Sequence, residues 1–264
     1  MPPLASVVLR ELRFFMNIGL YQSAASLTAL EHWQDAVSQN ITSSGVPGYR
    51  KRTVEFSTQD GGQWNLDPSA STSGDTTQIA QFPKTTNGIN YQGGDTQPSG
   101  RDLDVAIQGP GFFEVQSPDG SLAYTRDGEF SIRADRTLVN GSGAEVMSDS
   151  GSAITLAPNG EKVTINKDGT IQQGTATVGR LAVQQFADTG QLKAVAGSLF
   201  VPVNGATPTP VEAPDLLQGY TEASNVTPMR EMVDMVLISR CYDANQKLIK
   251  TADEEMQKTL DALG

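Results

Sequence analysis

The two ends of this 264-residue chain carry helical periodicity and its middle carries the alternation of β-strands, and that division limits the possible folds more than any other feature. From Leu20, positions three and four apart read Leu20, Ser23, Leu27, Leu30, Gln34, Val37 and Ile41, a heptad-like apolar stripe with two polar breaks. The stripe predicts a helix of about six to seven turns. It should stop at Ser43-Ser44-Gly45-Val46-Pro47-Gly48, where a glycine can take the left-handed cap and a proline follows. At the other end Thr227 is a candidate N-cap, and Pro228 fits the first helical position, where its missing N–H costs nothing. The next stripe is Met235, Ile238, Tyr242, Asn245, Ile249, Ala252, Met256 and Thr259, which predicts a helix running to about Leu260 and nearly ~50 Å long.

Between the helices, residues 101–200 hold short β-branched and aromatic runs punctuated by Asp119-Gly120, Asp127-Gly128, Asn140-Gly141, Asn159-Gly160 and Asp168-Gly169. Such pairs supply the positive φ that tight hairpin turns need. Candidate strands are Val105–Ile107, Phe112–Gln116, Ala123–Thr125, Phe130–Arg133, Val163–Asn166 and Gly179–Phe186. Residues 57–100 are rich in Ser, Thr, Gly, Gln and Asn, and residues 202–214 hold four prolines, so both stretches read as connectors. The expected fold class is α+β: a helix over 17–46, an extended linker over 47–100, an antiparallel β-rich middle domain over 101–200, a return linker over 201–217 and a helical end over 218–264. An apolar seam on a lone helix cannot bury itself, and Asn245 at a seam position is the kind of residue that fixes register. The terminal helices therefore either pair in a coiled-coil-like layer, with each other or with those of neighbouring copies, or pack on the β domain.

Composition removes several functions. With 19 Lys and Arg against 30 Asp and Glu, the formal charge of −11 is wrong for a protein that neutralises phosphates, so nucleic acid is not the expected partner. Cys241 and His32 are the only soft ligands, too few for a structural zinc site, and no cofactor is expected. A single cysteine forms no internal disulfide. No apolar run reaches the ~18 residues of a membrane span, and Arg10, Glu11 and Arg13 interrupt the amino-terminal run that would otherwise resemble a cleavable signal.

Three stretches resemble the flagellar basal-body rod and hook proteins, the axial subunits of the bacterial flagellum. Residues 20–49 are similar to that family's amino-terminal motif through Asn40 and Pro47-Gly48-Tyr49. Residues 103–147 carry LDVAIQGPGFF and YTRDGEF, similar to its central signatures. Residues 218–260 resemble its carboxy-terminal motif through Gln218-Gly219, Glu222, Ser224-Asn225-Val226, Glu231-Met232, Arg240, Tyr242 and Asn245. One middle domain of this size resembles the proximal-rod (F-type) and distal-rod (G-type) subunits, and the run ITLAPNGEKVTINKDG over 154–169 favours the proximal type.

The resemblance implies a structural subunit that polymerises helically with its own copies and with other rod and axial proteins, transmits torque and lines the export channel. It also implies a periplasmic rod location, export through the flagellar type III apparatus without a cleavable signal, and terminal helices that order only on assembly. The implied assembly residues are Leu27, Leu30, Val37 and Ile41 against Met235, Ile238, Ile249 and Met256, with Tyr242 from the motif. Asn40, Asn225 and Asn245 would supply hydrogen bonds where the chain turns or the seam needs register. There are departures. The family usually begins close to Met16, which leaves residues 1–16 as an extension or a start-site artefact. His32 and Trp33 are bulky for such a helix, and Ala134-Asp135-Arg136-Thr137 lacks an expected glycine.

Enzymatic readings are weak. Asp102 with Asp104, or Asp253 with Glu254 and Glu255, could form a carboxylate pair, but such clusters are ordinarily solvated. His32 has no acid placed beside it by a motif, and Gly109-Pro110-Gly111 lacks the third glycine and helix of a phosphate loop. The basic run Tyr49-Arg50-Lys51-Arg52 reads as a solvated helix end. The competing non-enzymatic reading is a monomeric extracytoplasmic β-rich binding module, for example for cell-wall glycan.

Overall fold

The computed structural model describes residues 4–65, 77–158, 161–203 and 205–261. It is α+β, with one helix at each end and β-strands between. Helix α1, Leu4–Thr42, begins well before Leu20 because no proline or glycine interrupts residues 4–18. Helix α2, Pro228–Asp261, has Pro228 as its first residue, as its fixed φ favours. The chain divides into two compact units, Met1–Gln39 with Arg52–Gly88 and Met229–Gly264, and Asn40–Lys51 with Ile89–Pro228.

In the first unit, the stretch expected to be an extended linker instead contains the strands Arg52–Asn65 and Thr77–Ile89, joined in a two-stranded sheet. Its strand-forming residues, such as Thr53, Val54 and Phe56, sit among polar ones. A sheet so sparsely apolar leaves little hydrophobic periodicity to read. Phe56 meets Trp33 of α1 edge-on, ring centroids 5.7 Å apart, which gives the bulky Trp33 a place.

The second unit holds the β-rich domain, and its pairings are antiparallel. Adjacent side chains on a strand point to opposite faces, and Phe112–Gln116 shows the result. Phe113 joins a core with Val105, Phe130, Leu138, Val146, Ile171 and Leu216. Phe112 joins a second, smaller core with Tyr124, Phe186, Leu192 and Phe200.

The expected turns divide. Asp119-Gly120 closes the hairpin between Phe112–Gln116 and Leu122–Thr125 with Gly120 at φ 85°, and Asp168-Gly169 closes Val163–Ile165 onto Thr170–Gln173 with Gly169 at φ 88°. After Asn140 the positive φ falls on Gly143 rather than Gly141, because the Asn140 side chain accepts from the N–H groups of Ser142 and Ala144 and widens the turn. Asn159-Gly160 lies outside the described residues. Asp127-Gly128 is no hairpin turn. A Cβ on Gly128 would stand 1.7 Å from the carbonyl oxygen of Val105, so this glycine serves close backbone approach. The strand expected over 179–186 is two, Ala176–Arg180 and Val183–Gln185, since the N–H groups of Leu181 and Ala182 turn to Gly169 and Met147. Where a glycine was missed before Leu138, Arg136 itself takes the left-handed conformation, φ 74°.

Candidate functional site

On α2 the sequence stripe follows the less accessible side from Met235 to Met256, and its last residue, Thr259, is exposed. Ile238 is 1% exposed, and Met235, Tyr242, Asn245, Ile249 and Met256 are half-buried. A second apolar row was missed: Met229, Met232, Val233, Val236, Leu237 and Leu248 all stand exposed, Met229 at 72%. Their spacing was available as the signal, masked because one stripe already accounted for the helix. On α1, Leu30 and Val37 are buried with Ala29 and Ala36, while Leu27 and Ile41 are half-buried.

The three asparagines make contacts within the chain. Asn40, 1% exposed, accepts from the Tyr49 hydroxyl at 3.2 Å. Asn225 accepts the Lys51 N–H at 2.7 Å and donates to the carbonyls of Asn90 and Gln92, both at 2.9 Å. Asn245 donates to the Cys241 carbonyl one turn back.

Glu222 is buried on the strand Tyr220–Glu222 of the second unit and meets two arginines. Its Oε1 accepts from Arg50 Nη2 at 2.5 Å and from the Gly94 N–H at 3.0 Å, while its Oε2 accepts from Arg126 Nη1 at 3.1 Å. The Glu222 carbonyl accepts the Gly48 N–H at 2.8 Å. Arg126 also donates to the carbonyls of Ile107 and Gly109, and its guanidinium lies over the Phe112 ring, 5.4 Å from the centroid. Burial, with Arg50 beside it, lowers the Arg126 pKa, and Glu222 opposes that fall. This corrects the solvated reading of the 49–52 run: Tyr49 and Arg50 are buried. The Pro47-Gly48 turn sends them inward, where Glu222 supplies the countercharge.

The remaining motif letters have equally local duties. Gln218 donates to the carbonyls of Asp102 and Val163 and accepts from the Ile165 N–H. Thr125 donates to the Ser198 carbonyl, and Phe130 meets Phe113 edge-on at 5.2 Å. Asp104, fully buried, receives Arg101, whereas Asp102 is exposed and meets Lys162. These two aspartates are therefore partners of different cations rather than a facing pair.

Asp127 accepts the Glu129 N–H, and burial pushes its carboxyl up to about 6 against that hydrogen bond. The folded chain then holds a proton on Asp127 that the unfolded chain has released, so its share of stability rises as pH falls from about 6 towards about 4. Asp127→Asn keeps the acceptor and removes the charge. It should stabilise the protein at neutral pH by up to about 3 kcal/mol and flatten this pH dependence, as paired urea titrations near pH 5 and pH 7 would read.

The sequence profile described as the flagellar hook protein FlgE/F/G D1 domain matches residues 106–173, and that of the flagellar basal body rod FlgEFG protein C-terminal matches residues 217–262. The flagellar basal-body rod protein FlgF of Caulobacter vibrioides is 30% identical over 249 residues, covering 94% of this chain and 99% of its own. The chain belongs to the flagellar basal-body rod protein family. FlgG of Buchnera aphidicola subsp. Schizaphis graminum is 31% identical, covering 90% of this chain and 97% of its own, and FlgG of Borreliella burgdorferi is 28% identical over 260 residues. In a rod protein, the motif residues of the second unit knit the segments 47–51, 90–98 and 218–226 together through backbone, carboxylate and amide contacts. The protein is a structural subunit of the rod, and a monomeric binding module is not favoured. Among the described residues, no helix is long and apolar enough to cross a membrane.

Proposed function

We propose that the protein polymerises with its own copies and with other rod and axial proteins through its terminal helices, forming a helical segment that transmits torque and surrounds the export channel. Its work is mechanical rather than catalytic. One observation carries this reading: α2 is apolar on two sides, half-buried along Met235–Met256 and exposed along Met229, Val233, Val236 and Leu237. A helix apolar on two sides needs neighbours on both. The seam residues Leu27, Leu30, Val37, Ile41, Met235, Ile238, Tyr242, Ile249 and Met256 set the helices in place, Leu30, Val37 and Ile238 being already buried within the chain. The exposed row Met229, Val233, Val236 and Leu237 meets the neighbouring copy, with Asn245 setting register along the seam and Asn40 and Asn225 fixing the bends that lead into the helices.

Export through the type III apparatus without a cleaved signal, and a place in the periplasmic rod, complete the proposal. FlgF and FlgG relatives stand at 30% and 31% identity. The proximal assignment therefore rests on the 154–169 run, and an image of purified basal bodies with this subunit labelled tests it.

Sedimentation tests the polymerisation itself. The concentrated wild-type chain should associate, and Val233→Asp with Leu237→Asp should weaken association by about tenfold or more per side chain. Both positions are exposed, so the monomer's melting should hardly change. A chain that stays monomeric at every concentration, or a double variant that associates equally well, would overturn the proposal.

A further inference from the structure

The exposed apolar row on α2 is flanked by charge of one sign. Between Met229 and Cys241 the exposed charged side chains are Arg230 and Arg240, whereas Glu231 is buried and Asp234 half-buried. On α1 the outward side reads Tyr21, Ala24, Thr28, Glu31 and Asp35, all exposed and spaced 3, 4, 3 and 4, so they share one helix face. The Thr28 hydroxyl donates to the Ala24 carbonyl, which leaves a small surface with no spare donor beside the two acids. Glu31 and Asp35 are the only Asp, Glu, Lys or Arg residues over 19–39. Among the described residues, neither these two acids nor Arg230 and Arg240 form an ion pair within the chain.

An apolar row can meet a second copy in two ways. Meeting the same row would close a two-fold pair and set arginines against arginines, whereas meeting a different, acidic surface leaves each end of the pair open to a further copy. We propose that the α2 row of one copy docks on the outward face of α1 in the next, with a flanking arginine reaching Glu31 and Asp35. This rests on the polymerisation reading and names the two surfaces that it joins. Arg230 and Arg240 are about 15 Å apart along α2 and the two acids about 6 Å apart along α1, so one arginine serves both acids. With Arg240 in that place the helices run parallel, since seven residues separate Val233 from Arg240 and Ala24 from Glu31. With Arg230 there they run antiparallel, and in both cases the apolar row lies along Thr28 and Ala24.

Sedimentation of the full chain tests this with two charge-reversed chains, Glu31→Lys with Asp35→Lys, and Arg230→Glu with Arg240→Glu. All four positions are exposed, so melting should hardly change. Each chain alone should associate about tenfold more weakly than wild type, because like charges then face each other. An equimolar mixture of the two should recover wild-type association, since every junction again joins opposite charges. Reversing the arginines one at a time then assigns the direction, the arginine whose reversal alone reproduces the loss being the partner of the acids. If both reversed chains associate like wild type, or if the mixture associates no better than its parts, this pairing is wrong while polymerisation stands. Loss in the arginine-reversed chain alone would mean that the row meets its own copy, which also overturns the pairing. A wild-type chain that never associates would overturn both readings.

Discussion

Replacing Glu222 by Gln should destabilise the second unit by about 3–5 kcal/mol, the loss typical of a buried ion cluster that keeps its cations and loses its anion. Both Arg50 and Arg126 depend on this carboxylate, and each is buried. The neutral amide keeps one acceptor and presents an NH2 group to a guanidinium, so the substitution adds a repulsive contact as well as removing an attraction. Urea unfolding of the full chain measures the loss. A second variant separates charge from packing: Glu222→Leu with Arg50→Met and Arg126→Met removes all three charges together and should regain most of the stability. If the single substitution costs less than about 1 kcal/mol, well below what stranded buried charge demands, the cluster does not hold these segments together.

Gly48→Ala should lower the melting temperature by roughly 5–15 °C. Gly48 sits at φ 67°, a conformation that costs a side chain about 1 kcal/mol. A Cβ there would also stand 2.3 Å from the Asp127 nitrogen and 2.4 Å from the Arg126 carbonyl carbon. Those atoms are backbone, so the strain cannot be relieved by a rotamer change and falls on the peptide that carries the Arg126 guanidinium. Gly45→Ala is the matched control, since a Cβ there meets nothing within 4 Å. Circular dichroism melts of the two variants should differ clearly, and equal melts would show that the 47–49 turn yields without loss.

Some of this was open to a reader of the sequence. Pro228 marked the start of α2, and the run Phe112–Gln116 marked a strand, because both signals are local. That Phe112 and Phe113 enter two different cores was not legible there, since the second core is closed by residues far along the chain. The strands Arg52–Asn65 and Thr77–Ile89 escaped notice because a polar sheet has no apolar alternation to display. Arg50 was misread for a different reason. A basic run after a helix is ordinarily solvated, and nothing near it in sequence announces a buried carboxylate; Glu222 lies far along the chain in another motif. The exposed row on α2 was hidden by the seam beside it, since a helix explained by one stripe invites no search for a second.

The second unit draws Asn40–Lys51 from before the two-stranded sheet and Ile89–Pro228 from after it. A ribosome therefore releases Arg50 early, yet the glutamate that neutralises it appears only after the strands of both cores have been made. The Arg50–Glu222 pair thus fastens the first segment of this unit to its last, and Asn225 close behind fastens the same first segment again through the Lys51 N–H.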